Sequence, residues 1–201
     1  TMKEKKSILR VYASCLMIFC FAVFTTSVNA RDQDGVSMPD SVTLSGTDIP
    51  LALNGMGYRT KFIFDVYILG FYTEARVNSR DAVQALTGPK RIIMHMVREE
   101  VSREKMANAL REGFEENSSD EQLAKLNARI QTFTDYFPDL KKGDVIILDY
   151  VPTSGTRITI NDKVKGVIEG ADFYAGLLDV WLGEEPADDD LKDAMLGLEG
   201  S

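Results

Sequence analysis

The stretch "GMGYRTKFIFDVYILGFYTE", residues 55–74, sets charged and phenolic side chains inside a segment otherwise composed for a core. Side chains alternate along a strand. Read as one long strand, it puts Phe62, Phe64, Val66 and Ile68 on a wholly apolar face. Arg59, Lys61, Asp65 and Tyr67 share the other face, with Ile63 among them and Leu69 and Phe71 beyond. That second face is charged at its start, phenolic in the middle and apolar at its end, which suits a cleft wet at the mouth and dry inside. A guanidinium at such a mouth offers an anion a planar fork of hydrogen-bond donors. Arg59 is therefore the first candidate for a ligand-binding residue, against the common alternative of an edge strand whose charges face water.

Other chemistry is poorly provided for. His95 is the only histidine, and both cysteines, Cys15 and Cys20, fall in the first 20 residues. A zinc or copper site of the usual ligands has no ligand set beyond that point. A Ser-His-Asp triad would have to use His95, which sits in the middle of an apolar strand pattern with no nucleophile elbow in the chain. No catalytic residue is assigned and no cofactor is expected. Gly55-Met56-Gly57 resembles the opening of a dinucleotide fingerprint, but the third glycine is missing and a strand follows where a helix is required. Asp188-Asp189-Asp190 lacks the spacing and the glycine of a calcium loop and reads as a charged helix start. Asn117-Ser118-Ser119 is formally a glycosylation sequon.

The elements that would carry these residues are legible from periodicity. "VTLSGTDIPLAL" reads as two short strands broken at Gly46 and Asp48, and "KRIIMHMV" (90–97) as a strand with Ile92, Met94 and Met96 on one face. "SRDAVQAL" (79–86) is a short helix closed by Gly88-Pro89. Ser102 caps a helix with Met106, Leu110, Gly113 and Phe114 on its apolar face. Ser119 and Gln122 form a capping-box pair for the next, whose stripe is Leu123, Leu126, Ile130, Phe133 and Phe137. "DVIILDYV", "TRITI" and "KVKGVI" form a meander with turns at "PTSG" and Asn161-Asp162. "ADFYAGLLDVWL" and "DDDLKDAML" close the chain as helices, the first burying Phe173, Leu177, Val180 and Trp181. Strands and helices do not alternate as βαβ units. The pattern is α+β, an antiparallel sheet with helices on one face.

The first 30 residues carry Lys3, Lys5, Lys6 and Arg10, then the apolar run Val11 to Phe24, then Val28-Asn29-Ala30. Basic head, short apolar middle and small-residue exit read as a secretory signal peptide. The run is shorter than the roughly 20 residues a membrane span needs. The expectation is a periplasmic or secreted protein starting near Arg31, with no stable membrane span. Residues 31–41 read as a flexible polar segment and 42–197 as one domain. Taking the four basic residues and Glu4 of the leader from the 23 and 31 of the chain leaves 19 basic against 30 acidic, a net charge of −11. Such a surface repels phosphate backbones and excludes nucleic acid as a partner.

"LNGMGYRTKFIFDVYILGFY", "GPKRIIMHMVREEVSREKMANALREGF" and "KGDVIILDYVPTSGTRITINDKVKGVIEGADFYAGLLDVWLGEEP" occur in an order and spacing that resemble the chalcone isomerase superfamily, and within it the bacterial chalcone isomerase-like proteins. The resemblance spans residues 42–197. It implies an open-faced β-sandwich, a large antiparallel sheet with helices packed on one side. Plant members of the superfamily close a ring by intramolecular addition of a phenolate to an enone. Plastid relatives bind fatty acids. In both, an arginine at the place of Arg59 meets the anionic part of the ligand. The rest of the isomerase site does not carry over: Tyr67 stands for the active-site threonine, Met106 and Gly113 for the tyrosine and asparagine, and Val180 for the late serine or threonine.

What the resemblance leaves is an arginine, a tyrosine and apolar walls, as in the fatty-acid-binding relatives. The expected function is non-catalytic binding of a small amphipathic carboxylate, such as a fatty acid, between sheet and helices. Arg59 and Tyr67 are the ligand-binding residues. The alternatives are an intramolecular lyase or isomerase acting on an enone, and an interaction protein whose cleft is vestigial. A straight strand rises about 3.3 Å per residue, which would part Arg59 from Tyr67 by about 26 Å. They share a ligand only if the chain turns or bulges between them, near Thr60-Lys61.

Overall fold

A computed structural model describes residues 30–33 and 35–198. The leader read over residues 1–30 lies, apart from Ala30, outside the described residues. Among the described residues eleven strands and five helices follow in chain order. The main sheet takes its seven strands from β3 (Ser41–Thr43), β4 (Pro50–Lys61), β5 (Phe64–Thr73), β6 (Lys90–Met96), β9 (Val145–Val151), β10 (Gly155–Ile160) and β11 (Lys163–Ile168). Their order is β11-β10-β9-β6-β5-β4-β3, antiparallel throughout. The helices are α1 (Arg80–Ala85), α2 (Arg103–Glu116), α3 (Asp120–Asp135), α4 (Ala171–Leu182) and α5 (Asp189–Met195). Short pairs β1 (Ala30–Gln33) with β2 (Val36–Pro39), and β7 (Glu100–Val101) with β8 (Leu140–Lys141), stand outside the main sheet.

The helix starts form where local chemistry satisfies their free N–H groups. Ser79 and Ser102 accept from Ala82 N and Lys105 N, and Ser119 and Gln122 close a complete capping box. The apolar stripes then determine the layers. Ile92, Met94 and Met96 of β6 join Leu69 and Phe71 of β5 under Leu110, Phe114, Phe133, Phe173, Leu177 and Trp181. The opposite face of the sheet holds a smaller cluster, with Leu51, Leu53, Ile68, Tyr72 and Ile93 covered by Met38. Here the structure departs from the loose polar segment read at residues 31–41. The described residues there form the β1–β2 hairpin and the start of β3, and Met38 is fully buried. Its sulfur lies where a side chain at Gly70 would stand, so a glycine in β5 lets the hairpin lie against the sheet.

The second departure concerns residues 55–74. They are two strands, not one. β4 and β5 form a hairpin whose last pair is Lys61 with Phe64, and Phe62 at the turn has φ 60°. A left-handed phenylalanine is uncommon, and nothing in the residue types announces this turn.

Candidate functional site

The hairpin brings Arg59 and Tyr67 together. They are direct cross-strand partners, and the ladder shifts register between Arg59 and Thr60. The turn lies at Phe62 and Ile63, two residues past the expected place, and the irregularity at Arg59/Thr60 falls beside it. Cross-strand neighbours have Cβ atoms about 5 Å apart, so the separation of about 26 Å demanded by a straight strand does not arise.

Tyr67 faces the helices, 6 % exposed, and its hydroxyl accepts a hydrogen bond from Trp181 Nε1 at 2.8 Å. Burial pushes its pKa up to about 12, against the Trp181 hydrogen bond and the positive charge of Arg59, and with the help of Asp188. The phenol is therefore protonated at neutral pH, and its proton meets no acceptor among the described residues. Arg59 donates from Nη1 to the Thr60 carbonyl oxygen, and the same nitrogen stands 3.7 Å from Asp188 Oδ2. Its side chain is 15 % exposed and that of Asp188 12 %. The Arg59 Nε and Nη2 groups have no hydrogen-bond partner among the described residues.

Asp188 does three jobs. Oδ1 accepts from Leu191 N at 3.0 Å and caps α5, Oδ2 accepts from Thr60 N at 2.9 Å, and the carboxylate faces Arg59. The sequence identifies it only as a helix start. Its distance of 128 residues from Thr60 hides the rest. Trp181 was visible only as an inward residue of α4, and its indole N–H at Tyr67 is likewise a product of the fold.

The seat of α5 explains the "GMG" that precedes the arginine. A Cβ at Gly55 would collide with the Ala194 carbonyl, and one at Gly57 would stand 2.6 Å from Ala194 Cβ. Asn54, 2 % exposed, donates to Val77 O at 2.9 Å and Met195 O at 2.7 Å, and accepts from Val77 N at 2.9 Å. Two glycines admit the helix and one asparagine ties its end, so that Asp188 at its start meets Arg59.

Three more positions can be placed. Met106 and Val180 are 4 % and 2 % exposed, and a Cβ at Gly113 would lie 2.7 Å from Val180 Cγ1. The positions aligned with the isomerase's tyrosine, asparagine and late hydroxyl are thus packed apolar core. His95 pairs with Ile68 and Val145, and burial lowers its pKa. Register places it on the sheet face away from Tyr67. Among the described residues no group of three or more His, Cys, Asp or Glu could hold a metal ion, and no helix is long and apolar enough to cross a membrane.

One cavity of about 460 Å³ lies between α1, α4 and the far end of the sheet. Another, about 500 Å³, lies outside the hairpin at Phe64, Asp65 and Val97 to Glu100. Arg59 lines neither, and α5 stands over it. The start of α5, through Asp188, closes over the guanidinium at this place.

The Tyr67 phenol carries a prediction. Tyr72 is likewise pushed up to about 12, chiefly by burial. A phenol whose folded pKa exceeds its unfolded value of 10.0 stabilises the fold fully below pH 10, and that contribution is lost as pH rises through about 12. At about 1.4 kcal/mol per pKa unit, Tyr67 accounts for roughly 2–3 kcal/mol. Urea unfolding between pH 9 and 12 is expected to show stability falling over the upper part of this range. Tyr67→Phe should flatten the fall, and an equally steep fall in that variant would remove Tyr67 as its cause.

Comparison with known proteins agrees with this architecture. The family model described as chalcone isomerase-like matches residues 30–197. The crystal structure of a fatty-acid binding protein from Arabidopsis thaliana superposes with a TM-score of 0.62 at 19 % identity, covering 84 % of this chain and 96 % of that one. At that identity the likeness is one of fold. No curated protein sequence matches the chain.

Proposed function

The chain belongs to the chalcone isomerase-like family, and from that premise we propose that it binds a small amphipathic carboxylate, such as a fatty acid, without chemical turnover. The observation that carries the reading is Arg59. It is a mostly buried guanidinium with Nε and Nη2 uncommitted among the described residues, set beside a protonated buried phenol and faced by a carboxylate of its own chain. The pair is a receptor for a carboxylate group, and Asp188 stands at its edge as a partial stand-in. The ligand's head would take the free fork of Arg59 and the proton of Tyr67. Its tail would enter between sheet and helices as α5 shifts outward. The fatty-acid binding title of the Arabidopsis protein supports the ligand class.

A second reading is favoured by the Asp188 carboxylate that already faces Arg59. An interaction protein of this fold would keep Arg59 and Asp188 as a structural ion pair and take up no ligand.

Calorimetric titration with saturated fatty acids separates the two. On the binding reading, affinity rises with chain length by up to about 0.8 kcal/mol per methylene until the space opened by α5 is full. Absence of binding at every length would establish the second reading instead. The same preparation should leave chalcone cyclisation at its rate in buffer. Positioned acid–base groups supply about 10²–10⁴-fold, and the aligned positions Met106, Gly113 and Val180 supply none.

A further inference from the structure

We propose that the cavity at the other end of the sheet is a second binding site, taking a small planar organic anion, with Lys90 as its cationic anchor and Tyr150 and Tyr174 as its aromatic wall. Lys90 pairs with Thr73 and Tyr150 at the start of β6, six residues from the Met96 that pairs with Tyr67. At about 3.3 Å per residue, this is about 20 Å from the Arg59 site, and the proposal does not depend on that site's function.

Lys90 is an anomaly. It is 3 % exposed and makes no salt bridge among the described residues; the Glu74 carboxylate acts on it only from longer range. An ammonium without a directly paired counter-charge is costly to bury. Its Nζ donates to Leu86 O at 2.5 Å and Gly88 O at 3.1 Å, and stands 5.6 Å from the centre of the Tyr150 ring. These contacts use two of its three N–H groups and leave one. Lys90 lines a cavity of about 460 Å³, within the range of small-molecule sites.

The remaining lining has the composition such a ligand needs. Tyr150 and Tyr174 both line the cavity and stack on each other, with centroids 4.5 Å apart and planes inclined by 11°, as an aromatic pair in its wall. The Tyr174 hydroxyl is buried without a hydrogen-bond partner. Val83, Leu86, Leu178 and Leu182 make the apolar walls. The other cation there, Arg80, is already committed through Nε and Nη2 to Asp179 at 2.8 and 2.7 Å. Lys90 is therefore the cation with capacity to spare. Burial lowers its pKa, opposed only in part by the more distant Glu74 carboxylate, and an anion bound at Nζ would oppose that shift further.

The test is calorimetric titration of the whole chain with 1-naphthoate and with neutral 1-naphthalenemethanol. The naphthoate is expected to bind wild type at least about 10-fold more tightly than the alcohol, as a charge-assisted hydrogen bond implies. Lys90→Met should weaken naphthoate about 10- to 100-fold and leave the alcohol little changed. Ala175, exposed on α4, lines the cavity. Ala175→Phe should block both probes without disturbing the core, and so keeps the test decisive if Lys90→Met fails to fold. Arg59→Ala should bind naphthoate as wild type does. No naphthoate binding at millimolar concentration, equal affinity for acid and alcohol, unaltered binding in Ala175→Phe, or loss of binding in Arg59→Ala would each overturn the proposal. The last result would move the probe to the hairpin site.

Discussion

Arg59→Ala is expected to weaken the binding of a fatty acid by about 10- to 150-fold, the worth of a charge-assisted hydrogen bond at roughly 1.5–3 kcal/mol. Arg59→Lys should recover only part of this, because an ammonium offers a point charge where the guanidinium offers two parallel donors. Asp188→Asn should move the affinity the other way. The amide oxygen can still cap α5, at the loss of the bond from Thr60 N, but the side chain no longer competes as a charge for Arg59. An ion pair of this length is worth at most about 1 kcal/mol, so the gain is about 2- to 5-fold. Titration of one acid against wild type and the three variants checks all of this at once. Equal affinity for wild type and Arg59→Ala would leave the guanidinium as a structural partner of Asp188 and nothing more.

Gly55→Ala is expected to cost about 3–5 kcal/mol of stability, far more than one methyl group normally does. The added Cβ would meet the Ala194 carbonyl, with Met195 O also 2.9 Å away, and both belong to the backbone of α5. Side chains can swing aside, but a helix carbonyl moves only with its helix. Overpacking of this kind costs about 1–3 kcal/mol. Displacing α5 also breaks the Asn54 bond to Met195 O, which leaves a buried amide proton unpaired at a further cost of about 1–3 kcal/mol. For a chain of this size the melting temperature should fall by roughly 6–20 °C. If the proposed function is right, the variant at low temperature should still bind a fatty acid, because the lifted helix removes Asp188 and leaves Arg59 and Tyr67 in place. A melting temperature within 2 °C of wild type, with unchanged fatty-acid affinity, would show that α5 is not seated as described.

Most of the fold could be read from local signals. The capping box at Ser119 and Gln122 and the stripes of α2, α3 and α4 are local chemistry, and each meets its own requirement within a few residues. The Asn161-Asp162 turn, with both residues at positive φ, is the kind of hairpin signal that short-range reading detects. The hairpin that builds the Arg59 site has no such signal. Its turn residues, Phe62 and Ile63, are strand formers, and both are 85 % exposed or more. Tertiary pairing of β4 with β5 overrides their local preference. The β1–β2 hairpin was missed for a related reason. "RDQDGVSMP" is polar enough to read as loose, and a single buried side chain, Met38, seats it against the sheet.

The sequence by itself determined the α+β class, the helices and their inward faces, the meander, and Arg59 as the residue most in need of an explanation. It also pointed to the chalcone isomerase-like family through the order of its segments. Only the tertiary structure decided what surrounds that residue. Tyr67 reaches Arg59 because the chain reverses at Phe62. Asp188 reaches it because Gly55 and Gly57 let a helix from the end of the chain settle on β4. The physical reason is one of range. Caps, stripes and turns are satisfied by neighbours a few residues away, so their residue types betray them. A charged group meeting a partner 129 residues later, or a lysine buried at the foot of a cavity, is positioned by backbone packing, which no local pattern encodes.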